Sequence, residues 1–167
     1  MKHLYLIGGP MGVGKTTVCR ELQSRLNRSI FLDGDWCWNM RPFQVTAETK
    51  RMVMDNICFL LNNFLRCSAC DHVIFCWVLH QQEILDELYA RLDTQDCVIH
   101  NISLVCTENA LRVRLETDIR TGKRTPDVLE RSLGYLPLYT ALDTVKIDVS
   151  AVTPREAAAG ILREAEP

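Results

Sequence analysis

The sequence predicts an α/β domain built on a parallel β-sheet with helices on both faces. Three observations predict it. Apolar segments of strand length alternate along the chain with longer segments of helical apolar spacing. The stretch His72–Trp77 is an almost unbroken apolar run, as expected of a strand buried on both faces. A glycine-rich turn joins the first strand to the first helix. No repeat, low-complexity tract or linker interrupts the order, so residues 1–167 read as a single domain.

In chain order, the first strand is His3–Gly8 and the first helix runs from about Lys15 to Leu26. A strand at Ser29–Asp33 and a long helix at about Ala47–Arg66 follow. After the strand His72–Trp77 comes a helix Gln81–Leu92, with Ile84, Leu85, Leu88 and Leu92 on its core stripe. Cys97–Cys106 reads as a strand, and Glu108–Ile119 as a helix with Leu111, Leu115 and Ile119 in line. Thr125-Pro126-Asp127 offers an N-cap, a proline at the first helical position and an acid in the first turn of a helix reaching Tyr139. Thr144–Val149 is the last strand, and Thr153-Pro154-Arg155-Glu156 a capping box that opens the terminal helix.

Composition limits the function. The 167 residues are 47% hydrophobic, enough for a substantial core, and the net charge is −2 with both signs interspersed. That balance gives no reason to expect nucleic acid or an anionic membrane as partner. The apolar run Leu4–Ile7 is too short for a signal peptide, and no stretch approaches about 18 apolar residues. A cytoplasmic protein is expected, and its eight cysteines do not mark a secreted disulfide scaffold. Cys19, Cys58, Cys76 and Cys106 lie in apolar stretches and read as buried thiols. Cys67 and Cys70 form a lone CxxC with no second half of a zinc site.

The motif with the most chemical content is Gly9-Pro10-Met11-Gly12-Val13-Gly14-Lys15-Thr16, which is GxxxxGK[ST] between a strand and a helix. Its glycines let successive backbone N–H groups turn onto phosphates, and the helix N-terminus adds partial positive charge. Gly9, Gly12, Val13, Gly14, Lys15, Thr16 and Thr17 are therefore candidate ATP contacts. Lys15 is placed to reach the outer phosphates, and the Thr16 hydroxyl to ligate Mg²⁺. No NKxD or DxxG marks a guanine-nucleotide switch, and the chain is short for a ring ATPase with an added helical domain.

Asp33-Gly34-Asp35 closes the second strand, on the edge of the sheet where ligands bind. A positioned carboxylate can orient a hydroxyl group and take its proton. Asp35 is the candidate base and Asp33 the metal partner, directly or through water; an Asx-type turn is the alternative for the pair. Two acids would repel a phosphate acceptor, so a hydroxyl acceptor fits better. Trp36 and Trp38 offer it a flat wall, or else simple packing, and Arg41 a polar grip. His80 lies on the same edge, to touch substrate or to cap the next helix. Arg112, Arg114, Arg120, Lys123 and Arg124 crowd residues 112–124. They fit a mobile lid at about 119–126 that brings positive charge to phosphoryl transfer, with Arg120 and Arg124 the catalytic candidates. The alternative is a solvated helix face with Arg112–Glu116–Arg120 and Arg114–Asp118 pairs.

Together these features resemble the small P-loop kinases: nucleoside monophosphate, shikimate, gluconate and adenylylsulfate kinases and chloramphenicol phosphotransferase. Uncharacterised bacterial nucleotide-kinase-like proteins and tunicamycin-resistance-type ATP-binding proteins are similar too. The ending Leu136-Pro137-Leu138-Tyr139 with Ile147-Asp148-Val149-Ser150 resembles the shikimate kinase group. The resemblance implies a three-layer P-loop NTPase fold, a five-stranded sheet ordered 2-3-1-4-5, and Mg·ATP as donor. It also implies an adenine site between Arg112 or Arg114 and Ser150–Pro154. Tyr135 stands where shikimate kinases carry an arginine, and Trp77-Val78-Leu79-His80 where they carry a glycine run, so shikimate is not the expected acceptor. Asp118 stands where many relatives carry a second lid arginine. The reading is a phosphotransferase that moves the γ-phosphoryl group of ATP to a hydroxyl of a metabolite, nucleoside or antibiotic, as monomer or homodimer. A nucleoside monophosphate kinase and a nucleotide-gated binding protein are the alternatives.

Overall fold

A computed structural model describes residues 1–165. Five strands, β1 (Lys2–Gly8), β2 (Ser29–Asp33), β3 (His72–Cys76), β4 (Cys97–Val105) and β5 (Val145–Asp148), form one sheet in the order β2-β3-β1-β4-β5. Every neighbouring pair is parallel, as the alternation required. The helices are α1 (Lys15–Gln23), α2 (Ala47–Arg66), α3 (Gln82–Arg91), α4 (Glu108–Arg120), α5 (Val128–Tyr135) and α6 (Pro154–Ala165). None of the described helices is long and apolar enough to cross a membrane.

Alternation along the strands divides the core in two. Tyr5 and Ile7 of β1 join Ile74 and Cys76 of β3 under α1, α4, α5 and α6. Leu4 and Leu6 join Val73 and Phe75 on the other face, under α2 and α3. Each helix turns its apolar stripe to the sheet, for example Leu111 and Leu115 of α4 and Leu85 and Leu88 of α3, all 0–1% exposed.

Local chemistry sets the helix starts. Thr46 and Thr49 form a reciprocal capping box ahead of α2, at 3.1 and 2.9 Å. The Thr107 hydroxyl caps α4, and Thr153 with Glu156 caps α6 as expected. The opening of α1 differs. Its N-cap, Gly14, is left-handed and provides no side-chain acceptor, so the first amides of α1 stay open to an anion.

Two expected boundaries shift. Thr125 does not cap α5; residues 125–127 make a tight turn in which Val128 and Leu129 donate to the carbonyls of Thr125 and Pro126, and the helix starts at Val128. The helix also stops at Tyr135 rather than Tyr139. Pro137 has no N–H to continue the ladder, and Leu136–Ala141 is a 3-10 helix. The other elements begin or end within three residues of expectation.

The amino edge of the sheet carries a histidine ladder. Register places His3 beside His72 and Tyr5 beside His100. The His3 ring stacks on His72 and His100 at 5.1 and 5.3 Å, and its Nδ1 lies 3.0 Å from His100 Nε2. Burial, then the neighbouring His3, pushes His72 below the ordinary imidazole value of 6.5, against the pull of Asp71. Burial, then His3 and His72, does the same to His100. Depressed values mean that the unfolded chain binds more protons, so this contribution is complete above 6.5 and is lost as pH falls through the folded-state values. Denaturation midpoints should be level above that pH and drop below it, and His100→Gln should flatten the drop. Equal slopes in the two proteins would dissociate the ladder from acid stability.

Candidate active site

The loop between β1 and α1 lies at the carboxyl edge of the sheet, in its centre. It packs closely on α4. A Cβ on Gly12, whose φ is 82°, would come within 2.5 Å of Leu115 Cδ2. Lys15 Nζ folds back on the loop and donates to the carbonyls of Gly9 and Pro10 at 2.8 and 3.1 Å. Burial lowers the Lys15 pKa, while Cys76, Asp35 and Asp33 pull it up and Arg124 lowers it further. The ammonium thus rests on the loop and feels the charge of both acids.

The two acids occupy different environments. Asp33, 6% exposed, accepts from the Thr16 hydroxyl at 2.6 Å and from the Asp35 N–H at 3.1 Å. Asp35 lies in the first turn of a 3-10 helix, Gly34–Trp38, and stays exposed. Partial desolvation, then the Asp33 charge, raises its pKa above the usual 3.8, with Lys15, Arg124 and the Trp77 indole opposing. Lys15, Thr16, Asp33, Asp35 and Arg124 therefore form one electrostatic group. The local turn does contain the Asx-type bond, so that geometry and the site share the same residues.

Gly34 has a packing reason rather than a turning one. A Cβ there would lie 2.6 Å from Trp77 Cγ. Gly34→Ala should therefore displace the indole that supports Asp35 and lower stability by about 1–3 kcal/mol. Chemical denaturation measures this; an unchanged midpoint would contradict the contact.

The other expected contacts divide. Trp36 is 53% exposed and meets Phe31 edge-on at 5.4 Å. Trp38 instead donates to Gln44 O at 3.1 Å and packs toward Phe43 and Trp77. Arg41 is exposed, just beyond that segment. Thr17 is exposed on the first turn of α1, and Val13 is buried in the core. Arg114 donates to Val13 O and Val149 O, joining the loop to the end of β5. Arg112 pairs outward with Glu108 at 2.9 Å. The Arg114–Asp118 pair of the alternative reading does not form: Asp118 accepts from Arg124 Nε at 3.3 Å, and its carbonyl takes the amides of Lys123 and Arg124. Asp118 thus ties Lys123 and Arg124 back to the end of α4. Arg120 is exposed at the end of α4.

Several supporting groups gave little sequence signal. Val78 O accepts from the Gly9 amide at 3.2 Å and from the buried Tyr139 hydroxyl at 2.6 Å. Buried Ser132 donates to Met11 O at 2.6 Å. Leu79 takes a left-handed φ of 43°, in the segment where shikimate kinases were expected to have glycines. Beside it, His80 stacks on Tyr135 at 4.4 Å with an 11° tilt. The two departures from the shikimate kinase pattern are in contact.

Sheet order, open loop and acid pair define a protein of the P-loop nucleotide-binding class. A family profile described as an AAA domain matches residues 6–132, and the chain belongs to that family. No curated protein matches the chain. Solved structures with this fold include a gluconokinase from Sinorhizobium meliloti 1021, at 21% identity and a TM-score of 0.68, with 98% of this chain and 93% of that one covered. The tunicamycin resistance protein of Deinococcus radiodurans matches at 18% identity and a TM-score of 0.69, over 99% and 96% of the two chains. Shikimate kinase from Acinetobacter baumannii matches at 22% and 0.61, over 99% and 93%.

Proposed function

We propose that this protein is an ATP-dependent phosphotransferase that moves the γ-phosphoryl group of Mg·ATP to a hydroxyl of a small molecule. One observation carries the reading: the buried acid is bonded to Thr16, while the second acid, two residues on, stands open to an acceptor. Magnesium fits the buried pair, since Thr16 Oγ1 and Asp33 Oδ2 are hard oxygen donors 2.6 Å apart. Those two residues would hold the ion, which supplies charge neutralisation on the phosphates when bound. Lys15 exchanges its loop carbonyls for phosphate oxygens, and the open amides of α1 bind the phosphate chain.

Asp35 orients the acceptor hydroxyl and takes its proton. Arg124 leaves Asp118 to meet the charge that develops on the transferred group and to close the site against water. Trp36 forms an apolar wall for the acceptor, and the His80–Tyr135 stack lines the site without a cation. Arg114 and the Ser150–Pro154 segment flank the adenine. The kinase names carried by similar folds, gluconokinase among them, support a small hydroxylated acceptor.

The test is a coupled ADP-release screen with Mg·ATP against sugars, nucleosides, nucleotides and hydroxylated antibiotics. Acceleration by a hydroxyl compound is expected. Acceleration by nucleoside monophosphates alone would replace this reading with the monophosphate kinase one. No acceleration by any acceptor, with tight nucleotide binding, would favour a nucleotide-gated binding protein.

A further inference from the structure

The sheet edge remote from the phosphate loop carries a pair of thiols that phosphoryl transfer does not use. Cys67 caps the end of α2, and Cys67-Ser68-Ala69-Cys70 turns the chain into β3. The Cys70 amide donates to Cys67 O at 3.2 Å. A four-residue turn closed this way keeps its end Cα atoms within about 7 Å, which overlaps the span of roughly 4.4–6.8 Å that a disulfide requires. Cys67 is exposed and Cys70 half-buried, whereas Cys19, Cys58, Cys76 and Cys106 are buried.

Two cations hold the turn. Lys2 Nζ donates to Cys67 O at 2.6 Å and also to Cys70 O. Arg28 donates to Ser68 O and pairs with Asp71 at 2.7 Å. Desolvation and the neighbouring Cys67 raise the Cys70 pKa, and the charges of Lys2 and Arg28 pull against them. The half-buried Cys70 thus keeps its proton more firmly, which leaves the exposed Cys67 as the sulfur that a solution oxidant reaches first. No His, Cys, Asp or Glu group among the described residues assembles three metal ligands, so the pair is a dithiol rather than a metal site.

We propose that Cys67 and Cys70 form a reversible dithiol site that closes to a disulfide with small-molecule disulfides of the glutathione type. The exposed Cys67 sulfur, as thiolate, attacks one sulfur of the oxidant; the oxidant's S–S bond breaks and the departing thiolate takes the proton that Cys67 released. Cys70 then loses its proton and attacks Cys67 Sγ in the mixed disulfide. The second small thiol leaves with that proton. Two protein thiols are oxidised, and one disulfide is reduced to two thiols.

The test incubates the full chain in glutathione buffers of rising glutathione-disulfide fraction, traps free thiols by alkylation and maps peptides by mass spectrometry. The expected result is loss of two hydrogens as a Cys67–Cys70 bridge, reversed by dithiothreitol. Cys70→Ser should instead retain one glutathione on Cys67. Wild-type mapping needs no variant, so it decides even if Cys70→Ser folds poorly. Full alkylation of both thiols in the most oxidised buffer, a bridge between other cysteines, or stable glutathione on both would overturn the site.

Discussion

Replacing Lys15 by Ala is expected to lower phosphoryl transfer by about 10²–10³-fold or more. The reasoning starts from the free protein, in which Nζ already points into the loop and bonds to Gly9 O and Pro10 O. A nucleotide offers phosphate oxygens in place of two carbonyls, and an ionised acceptor makes the stronger hydrogen bond. Removal of the ammonium takes away the one cation that the loop itself offers the phosphate tail, beside the charges of Asp33 and Asp35. The loss should appear in ATP affinity as well as in turnover. Thermal unfolding of the unliganded variant separates this from a folding defect, and unchanged kinetics would remove Lys15 from the mechanism.

Asp35→Asn is expected to lower turnover by about 10²–10⁴-fold while sparing ATP affinity. Amide and carboxylate have nearly the same shape, so the change removes a base and little else. The pH profile gives a second readout. A base works when ionised, and Asp35 titrates above 3.8, so the wild-type rate should fall as pH drops through that raised value. The residual Asn rate should lack this limb. Equal turnover at saturating acceptor would transfer the proton-accepting role to another group.

Much of this architecture was legible because local chemistry and tertiary structure agree. β2 and α2 have the bounds expected of them, the first because Asp33-Gly34 ends an apolar run, the second because Thr46 precedes a helical stripe. The GxxxxGK[ST] loop and acid pair were legible for the same reason: phosphate chemistry restricts residue type and spacing together. α5 was misjudged where two proline signals competed. Pro126 suggested a start that the following turn delays, and Pro137 ends the helix at a point where apolar spacing continues.

What stayed hidden depends on contacts between distant segments. The meaning of Gly34 lies in Trp77, brought alongside by β2–β3 pairing. Arg114 sits four residues before Asp118, yet a helix-surface pair loses to the carbonyls of Val13 and Val149. The histidine ladder needs the register of β3, β1 and β4, which no single segment encodes. The His80–Tyr135 stack likewise joins residues far apart in sequence.

Isothermal titration calorimetry of the wild-type protein with ATP in the presence of magnesium bears most directly on the phosphate cradle. Saturable heat with one site per chain is the expected result, diminished when magnesium is chelated and lost in Lys15→Ala. A folded wild-type protein that gives no heat with Mg·ATP would contradict the account.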